Sequence, residues 1–271
     1  MAMKLAYLGP PGTFSEEAAL KYNEKADLVP FYSVPAVAAA VETGLAEEGV
    51  VAIENSLEGS VTDTLDLLIH ESKLLIRREL VLPIEHHLLA KPGTKALEIE
   101  AVFSHPQALA QCRRFLARNK LEPVRYHDTA GAARMVADKR PTGAAAIASA
   151  ICAKLYDLEI IKEGIEDHER NLTRFLVLSK GEAREAGDKC SVLFSTAHKA
   201  GTLFRVLEVF AREGLNLTRI ESVPEEPGAY AFFLDFMGSI QDPQVQKAVE
   251  EIKGITTRFK LLGCYLEKRV S

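Results

Sequence analysis

The chain has 271 residues, 47% of them hydrophobic and 26% charged, which suits two domains, or one domain with a smaller module, and excludes a disordered chain. Acidic residues outnumber basic ones, 38 to 33, for a formal charge of -5, a balance that speaks against nucleic-acid or anionic-membrane partners. Met1-Ala2-Met3-Lys4 runs straight into the strand-like Leu5-Ala6-Tyr7-Leu8, with no signal-type apolar core and no membrane-length apolar run, so a cytoplasmic protein is expected.

In chain order, the first 180 residues alternate short apolar strands with helical stretches, the pattern of an α/β sheet. Strands are expected at Lys4–Leu8, Val50–Ile53, Arg78–Ala90, Ala101–Phe103, Ala144–Ile147 and Thr173–Leu178. Helices are expected over 15–23, 34–44, 60–70, 106–118, 129–138 and 149–156. The alternation in Arg78–Ala90 suits one strand crossing between two lobes, with Thr173–Leu178 as the return. That gives one lobe over 1–77 plus 161–180, a second over 78–160, and a cleft between them. The polar, glycine-bearing stretch 181–189 reads as a linker. A βαββαβ pattern fills 190–271: strands Cys190–Thr196, Asn216–Val223, Ala229–Met237 and Arg258–Leu266, with the turn-rich Pro224-Glu225-Glu226-Pro227-Gly228 between the middle two. Leu203, Val206, Leu207 and Phe210 give the first helix an apolar face, and Val245, Ala248, Val249 and Ile252 give one to the second. This is the ferredoxin-like plan.

Cys112, Cys152, Cys190 and Cys264 are scattered without a C-x-x-C pair, so four reduced thiols are expected rather than a disulfide or a zinc site. His86-His87 are the only neighbouring histidines, and adjacent strand residues point to opposite faces; no metal is expected. Several strands run into a helix start with a capping residue: Thr13 with Glu16, Ser60, Ser104 with Gln107, and Ser149. Gln111, seven residues beyond Ser104, shares that helix face. Each start offers free N–H groups and the positive end of a helix dipole, so several converging on one cleft make a receptor for a small carboxylate. On pattern alone, ordinary helix capping explains these residues equally well.

Five segments in order carry more. They are Gly9-Pro10-Pro11-Gly12-Thr13-Phe14-Ser15-Glu16, Ile53-Glu54-Asn55-Ser56 with Gly59, Ser104-His105-Pro106-Gln107 with Gln111-Cys112, Ala145-Ala146-Ile147-Ala148-Ser149, and Asn171-Leu172-Thr173-Arg174-Phe175. On these the chain resembles the prephenate dehydratases along essentially its whole length. The resemblance implies a two-lobed, periplasmic-binding-protein-like (type II) catalytic domain followed by an α+β ferredoxin-like ACT domain. It also implies a homodimer or homotetramer, prephenate as substrate, phenylalanine as allosteric effector, and no cofactor. Arogenate dehydratase is the nearest alternative enzyme, and a non-catalytic small-carboxylate sensor is the alternative from another class.

Under that resemblance Thr173 contacts the leaving hydroxyl, and Glu54 is either a second proton source or a surface carboxylate at a strand end. Asn55, Ser104 and Gln111 are neutral donors in the catalytic set. Thr13, Ser15 and Ser149 hold substrate, and Arg174 pairs with the side-chain carboxylate or else with Glu166 or Asp167. Ala200-Gly201-Thr202-Leu203 stands where the family has its phenylalanine-binding motif, with Thr202 in place of a common alanine. Glu221-Ser222-Val223-Pro224 stands at a second motif, with Val223 in place of the usual arginine. His198 precedes the first of these, and Asn216 and Leu217 open the next strand as contacts from a paired subunit.

Overall fold

The computed structural model describes residues 2–139, 141–168, 170–181, 187–226 and 229–270. In chain order the elements are β1 (Lys4–Leu8), α1 (Phe14–Tyr22), β2 (Asp27–Phe31), α2 (Val34–Thr43), β3 (Glu48–Asn55), β4 (Gly59–Ser60), α3 (Thr62–Asp66, continued by a π-helical turn over Leu67–Glu71) and β5 (Leu75–Pro83). Next come β6 (His87–Ala90), β7 (Ala101–Ser104), α4 (Pro106–Gln111), α5 (Arg113–Arg118), β8 (Glu122–Arg125), α6 (Thr129–Lys139), β9 (Ala144–Ala148), α7 (Ala150–Leu155), β10 (Glu159–Lys162) and β11 (Leu172–Ser179). The C-terminal part holds β12 (Lys189–Ser195), α8 (Thr202–Arg212), β13 (Leu217–Glu226), β14 (Ala229–Met237), α9 (Pro243–Ile255), β15 (Arg258–Tyr265) and β16 (Glu267–Arg269).

Three sheets organise these elements. The first lobe has the order β16-β5-β11-β3-β1-β2, with β4 paired to β3; the second has β10-β6-β9-β7-β8. In the first, β1 runs parallel to β2 and β3, while β11 runs antiparallel to both β3 and β5. The all-apolar β9 (Ala-Ala-Ala-Ile-Ala) is buried along its whole length. Alanines 130, 132 and 133 let α6 pack closely against it.

The stretch 78–90 is two strands rather than one. Pro83 carries no N–H to continue the ladder, and the chain bonds sideways instead. Ile84 N donates to Asn171 O, His86 N to Glu166 Oε2, and Ile165 N to His86 O. The hand-over between lobes therefore lies at 84–86 and about 163–171, with all of β5 in the first lobe, rather than at 77 and 160. Helix 106–118 likewise breaks at Cys112. The strands missing from the sequence reading, β2, β4, β8, β10 and β16, are short, and β2 and β8 carry Pro30 and Pro123.

The ferredoxin-like sheet has the order β13-β14-β12-β15. One face lies under α8 and α9, where Val206, Val209, Phe210, Val245, Ala248 and Ile252 join Val192, Phe194, Leu234 and Phe236 in one core. The other face packs on the first lobe. Leu193, Val223, Ala231, Phe233 and Leu262 share a buried cluster with Leu65, Leu68, Ile69, Leu74 and Ile76. Strand β16 then leaves this unit and adds in parallel to β5. Where β15 crosses β5, Gly263 has φ +153°, and a Cβ there would sit 2.3 Å from Ile76 O, so no other residue fits. The stretch 181–189 thus joins docked bodies. Its residues 182–186 lie outside the described residues, as do Pro227 and Gly228 of the 224–228 turn.

One expectation is overturned. Cys190 and Cys264 form a disulfide, while Cys112 and Cys152 are free and buried. The two stand directly opposite each other in the β12–β15 register, a proximity that a sequence separation of 74 conceals. Alkylation of denatured, unreduced protein is expected to modify two of the four cysteines, read as the mass of the intact chain; four modified cysteines would exclude the bond.

Candidate active site in the inter-lobe cleft

A cavity of about 280 Å³ lies between the lobes, near the lower end of the range for small-ligand sites. Its lining includes Thr13, Ser15, Asn55, His86, His105, Gln107, Gln111, Asp128, Thr129, Thr173 and Phe175. These come from both lobes. Strands β3 and β11 contribute Asn55 and Thr173, which are register partners. The starts of α1, α4 and α6 contribute Thr13 and Ser15, Gln107, and Thr129. Three helix starts therefore converge on one cavity, and among its described lining residues there is no lysine or arginine. An anion held here is met by helix dipoles and neutral donors.

The amide side chains form a directed chain whose polarity is anchored by the backbone. Leu57 N and Glu58 N donate to Asn55 Oδ1 at 3.0 and 3.1 Å. A backbone N–H cannot reverse its role, so Asn55 presents Nδ2 to its other neighbours. It donates to Asn171 Oδ1 at 2.8 Å and to Thr173 Oγ1 at 2.9 Å. Asn171 Nδ2 in turn donates to Gln111 Oε1 at 3.0 Å. Two consequences follow. Thr173 accepts from Asn55 and keeps its own hydrogen to donate. Gln111 has its oxygen occupied and turns its NH₂ outward, 3.3 Å from Glu58 Oε1.

His86, only 3% exposed, sits 2.8 Å from Gln111 Oε1 through Nε2. Burial, the dominant influence, lowers its pKa below the ordinary imidazole value, against the opposing pull of Gln111 and the Glu166 carboxylate. It is therefore neutral near pH 7.

Some residues proposed from sequence are placed elsewhere. Ser104 is fully buried and donates to Ile147 O at 2.6 Å; His105 caps α4 in its stead. Ser149 donates to Gly12 O at 2.7 Å. With Cys152 Sγ on the same oxygen and Tyr156 Oη on Pro11 O, it clamps the loop after β1 onto the second lobe. Ser60 caps no helix and donates to Glu221 instead. Glu54 and Arg174 are register partners one step from Asn55 and Thr173, so the pleat turns them to the opposite face of the sheet. The sequence singles out none of His86, His105, Asp128 and Thr129 for the cleft, and names Asn171 and Gln107 only within motifs. Asn171 was visible in the Asn-Leu-Thr-Arg-Phe motif, and Asp128 before the α6 start carries a capping signal, whereas nothing local marked His86.

On that opposite face Arg174 pairs with Glu54 at 2.6 Å, with Glu79 of β5 at 2.8 Å and with Asp235 of β14 at 2.6 Å, not with Glu166 or Asp167. Lys189 bridges Glu79 at 2.9 Å and Glu267 of β16 at 3.1 Å. Glu79 and Asp235 are fully buried. Burial alone raises the Glu79 carboxyl, but the hydrogen bonds and charges of Arg174 and Lys189 outweigh it and hold the pKa below the usual carboxylate range.

In the C-terminal unit a second cavity of about 320 Å³ is lined by Thr196, His198, Lys199, Ala200, Thr202, Leu203, Tyr230 and Phe232. Gly201 caps α8 in the left-handed region, at φ +81°. Asn216, Leu217, Glu221 and Ser222 do not line this cavity. Leu217 packs in the helix-side core, the Glu221 carboxylate accepts from Ser60 Oγ of the first lobe, and Ser222 is exposed. Val223 is buried against the first lobe.

The prephenate dehydratase family profile matches residues 5–183, and the ACT domain profile matches 191–254. A bifunctional chorismate mutase/prephenate dehydratase of Aquifex aeolicus is 40% identical over 270 residues, 97% of this chain and 73% of that protein. An arogenate dehydratase/prephenate dehydratase of Arabidopsis thaliana is 36% identical over 97% of this chain and 72% of its own length. Among solved structures, a prephenate dehydratase from Arthrobacter aurescens in complex with L-Phe superposes with a TM-score of 0.90 at 32% identity, over 97% of this chain and 90% of that one. A chain described as GqqA, a novel type of quorum-quenching acylase, superposes at 0.89 with 33% identity over 97% of both.

The charge cluster behind the cleft gives a stability prediction. Arg174→Met leaves Glu79 and Asp235 buried with too few counter-charges and is expected to lower unfolding free energy by about 3–5 kcal/mol. Urea unfolding measures it; a loss under about 1 kcal/mol would show that the cluster is dispensable.

Proposed function

The chain belongs to the prephenate dehydratase family, and from that membership we propose that its inter-lobe cleft converts prephenate to phenylpyruvate, a step toward L-phenylalanine. The observation that supports the site assignment is the polarity of the amide chain, which leaves the hydroxyl of Thr173 as a donor at the cavity wall. Loss of carbon dioxide and water makes the ring aromatic, so the overall driving force is large. The catalytic demand is positioning and stabilisation of the departing oxygen. Thr173 donates to that oxygen. Thr13, Ser15 and the α1 and α6 starts meet the carboxylates with N–H and O–H groups. Neutral donors suit a carboxylate that must leave as carbon dioxide, because little stabilisation is lost on the way. Glu54 and Arg174, paired on the far face, hold the sheet rather than the substrate. Among the described residues no group of His, Cys, Asp or Glu is placed to hold a metal, and the proposed chemistry uses none.

Arogenate, which differs by an amine, is the second reading. It is favoured by one observation: Asp128 is the sole carboxylate among the described cavity-lining residues. Rates measured on both substrates separate the two.

The second cavity is proposed to bind phenylalanine. The α8 start faces the amino acid's carboxylate, Tyr230 and Phe232 flank its ring, and the exposed Asn216 serves a paired subunit. Exposed Phe204, Ile220 and Tyr230 support self-association through this unit as a dimer or tetramer. A cytoplasmic location fits an enzyme of amino-acid synthesis. Among the described residues no helix is long and apolar enough to cross a membrane.

Two outcomes test this. Thr173→Ala is expected to cut prephenate turnover by roughly 10²-fold or more, with Thr173→Ser retaining much more activity. A folded alanine variant of normal turnover would remove Thr173 from the chemistry. Millimolar or lower phenylalanine is expected to shift the activity curve by a coupling of about 1–3 kcal/mol. Calorimetry that detects no phenylalanine binding to the intact chain would leave association as the C-terminal unit's role.

A further inference from the structure

Imidazole has two nitrogens, and the amide chain fixes what each does in His86. Gln111 Oε1 already receives Asn171 Nδ2–H, and an amide oxygen only accepts. The His86 Nε2 that lies 2.8 Å from it must therefore carry a hydrogen. In the neutral ring this leaves Nδ1 as a bare lone pair. That Nδ1 is buried and has no hydrogen-bond partner among the described residues. The groups around the ring do not supply one. Glu166 accepts from the His86 backbone N, Phe14 meets the ring edge-on at 5.6 Å between centroids, and the neighbouring His87 accepts from Gly164 N. A buried acceptor without a donor is destabilising, so it calls for an explanation. His86 lines the cleft together with Thr173, Asn55 and Gln111.

The substrate class of the previous section supplies the missing donor. Two carboxylates and a ketone only accept; the ring hydroxyl carries the one O–H. We propose that His86 is a further catalytic residue of this site, a neutral imidazole whose Nδ1 accepts the hydrogen of the leaving hydroxyl while its Nε2–H holds Gln111 in register. The inference rests on the prephenate reading. It makes a specific division of labour. Thr173 donates to a lone pair of the hydroxyl oxygen, and His86 accepts that oxygen's hydrogen. In the step itself the ring carboxylate leaves as carbon dioxide and its C–C electron pair enters the ring. The C–O pair departs with the oxygen, which takes up one proton through Thr173, replaced from solvent, and leaves as water. His86 transfers no proton. As the oxygen gains a proton its remaining hydrogen becomes a stronger donor, so the bond to Nδ1 tightens toward the transition state rather than in the ground state.

The test uses the full chain. In His86→Gln the side-chain amide can still donate to Gln111, but the Nδ1 acceptor is gone. In His86→Asn an acceptor oxygen can occupy the Nδ1 position. His86→Gln is expected to lower kcat about 10- to 100-fold with KM within about 3-fold, and His86→Asn to recover several-fold of that loss. On the wild-type chain, nitrogen NMR of labelled histidine is expected to show the Nε2–H neutral tautomer for His86 near pH 7, a readout that does not depend on the variants folding. A wild-type chain that fails to turn prephenate over overturns the functional reading and this inference with it. An active wild type overturns this inference alone in any of three cases: His86→Gln keeps kcat within 2-fold, the two variants lose activity equally, or His86 is Nδ1–H or cationic.

Discussion

The arrangement depends on the pleat of one strand. β11 is hydrogen-bonded on both edges, to β3 and to β5, so its side chains alternate strictly between two faces. Thr173 faces the cleft, and Arg174 faces the C-terminal unit. A one-residue slip would put a guanidinium into the cavity and a hydroxyl among buried carboxylates. The register is held from both sides. Arg174 bridges Glu54 on β3, Glu79 on β5 and Asp235 on β14, so the ion cluster on one face of the sheet also holds Thr173 toward the cavity on the other. Replacing such a cluster by apolar groups can be neutral for stability; here it also fixes the alignment of three strands.

The cleft uses a second constraint, the directionality of amides. Asn, Gln and His can each present either a donor or an acceptor, and a ring of such residues has many near-equivalent states. Leu57 N and Glu58 N remove that freedom at Asn55, and the choice propagates through Asn171 and Gln111 to His86. The result is a set of neutral groups with assigned polarity and no fixed positive charge among the described lining. That is the electrostatic character a decarboxylating site needs, since a salt bridge to the departing carboxylate would stabilise the state that must be lost.

Much of this was legible in the sequence, for identifiable reasons. Strand and helix periodicity located most of the elements of the first lobe, and the βαββαβ plan was recoverable from the faces Leu203–Phe210 and Val245–Ile252. Three of the four capping residues singled out, Ser60, Ser104 and Ser149, do not face the cavity; only Thr13 does. A cap is defined within a few residues, but the direction in which its hydroxyl points is set by whatever packs above it, Ile147 O for Ser104 and Gly12 O for Ser149. The pleat turns Glu54 away from the cleft and gives Arg174 the ion-pair role its alternation with Thr173 allows, with Glu54, Glu79 and Asp235 as partners instead of Glu166 or Asp167. The disulfide, β16 and the role of Val223 are long-range facts: they exist only once β12, β15 and β5 are brought together, and no local pattern encodes that. The sequence shows His86 only beside His87, a poor metal pair, whereas its hydrogen-bond partner in the fold is Gln111, 25 residues on.

The docking of the C-terminal unit limits how a signal from it can reach the cleft. Its sheet shares a core with the first lobe, its last strand completes the first-lobe sheet, and Lys189 ties Glu79 to Glu267 of that strand. Release of a tethered module is therefore not the cheap motion. The second lobe, by contrast, joins the first through the short side-by-side crossings at 84–86 and 163–171 and through the Gly12 clamp from Ser149 and Cys152. A ligand in the His198–Leu203 cavity changes catalysis only by favouring one of two arrangements of the whole body. The link between the two cavities runs from β14, which gives Tyr230 and Phe232 to the second, to β11, which gives Thr173 to the cleft. Asp235 pulls on Arg174 from the regulatory side, and the adjacent residue is Thr173. A shift of β14 relative to the first lobe is opposed by the Arg174–Asp235 ion pair, so it either breaks that pair or moves β11 with it.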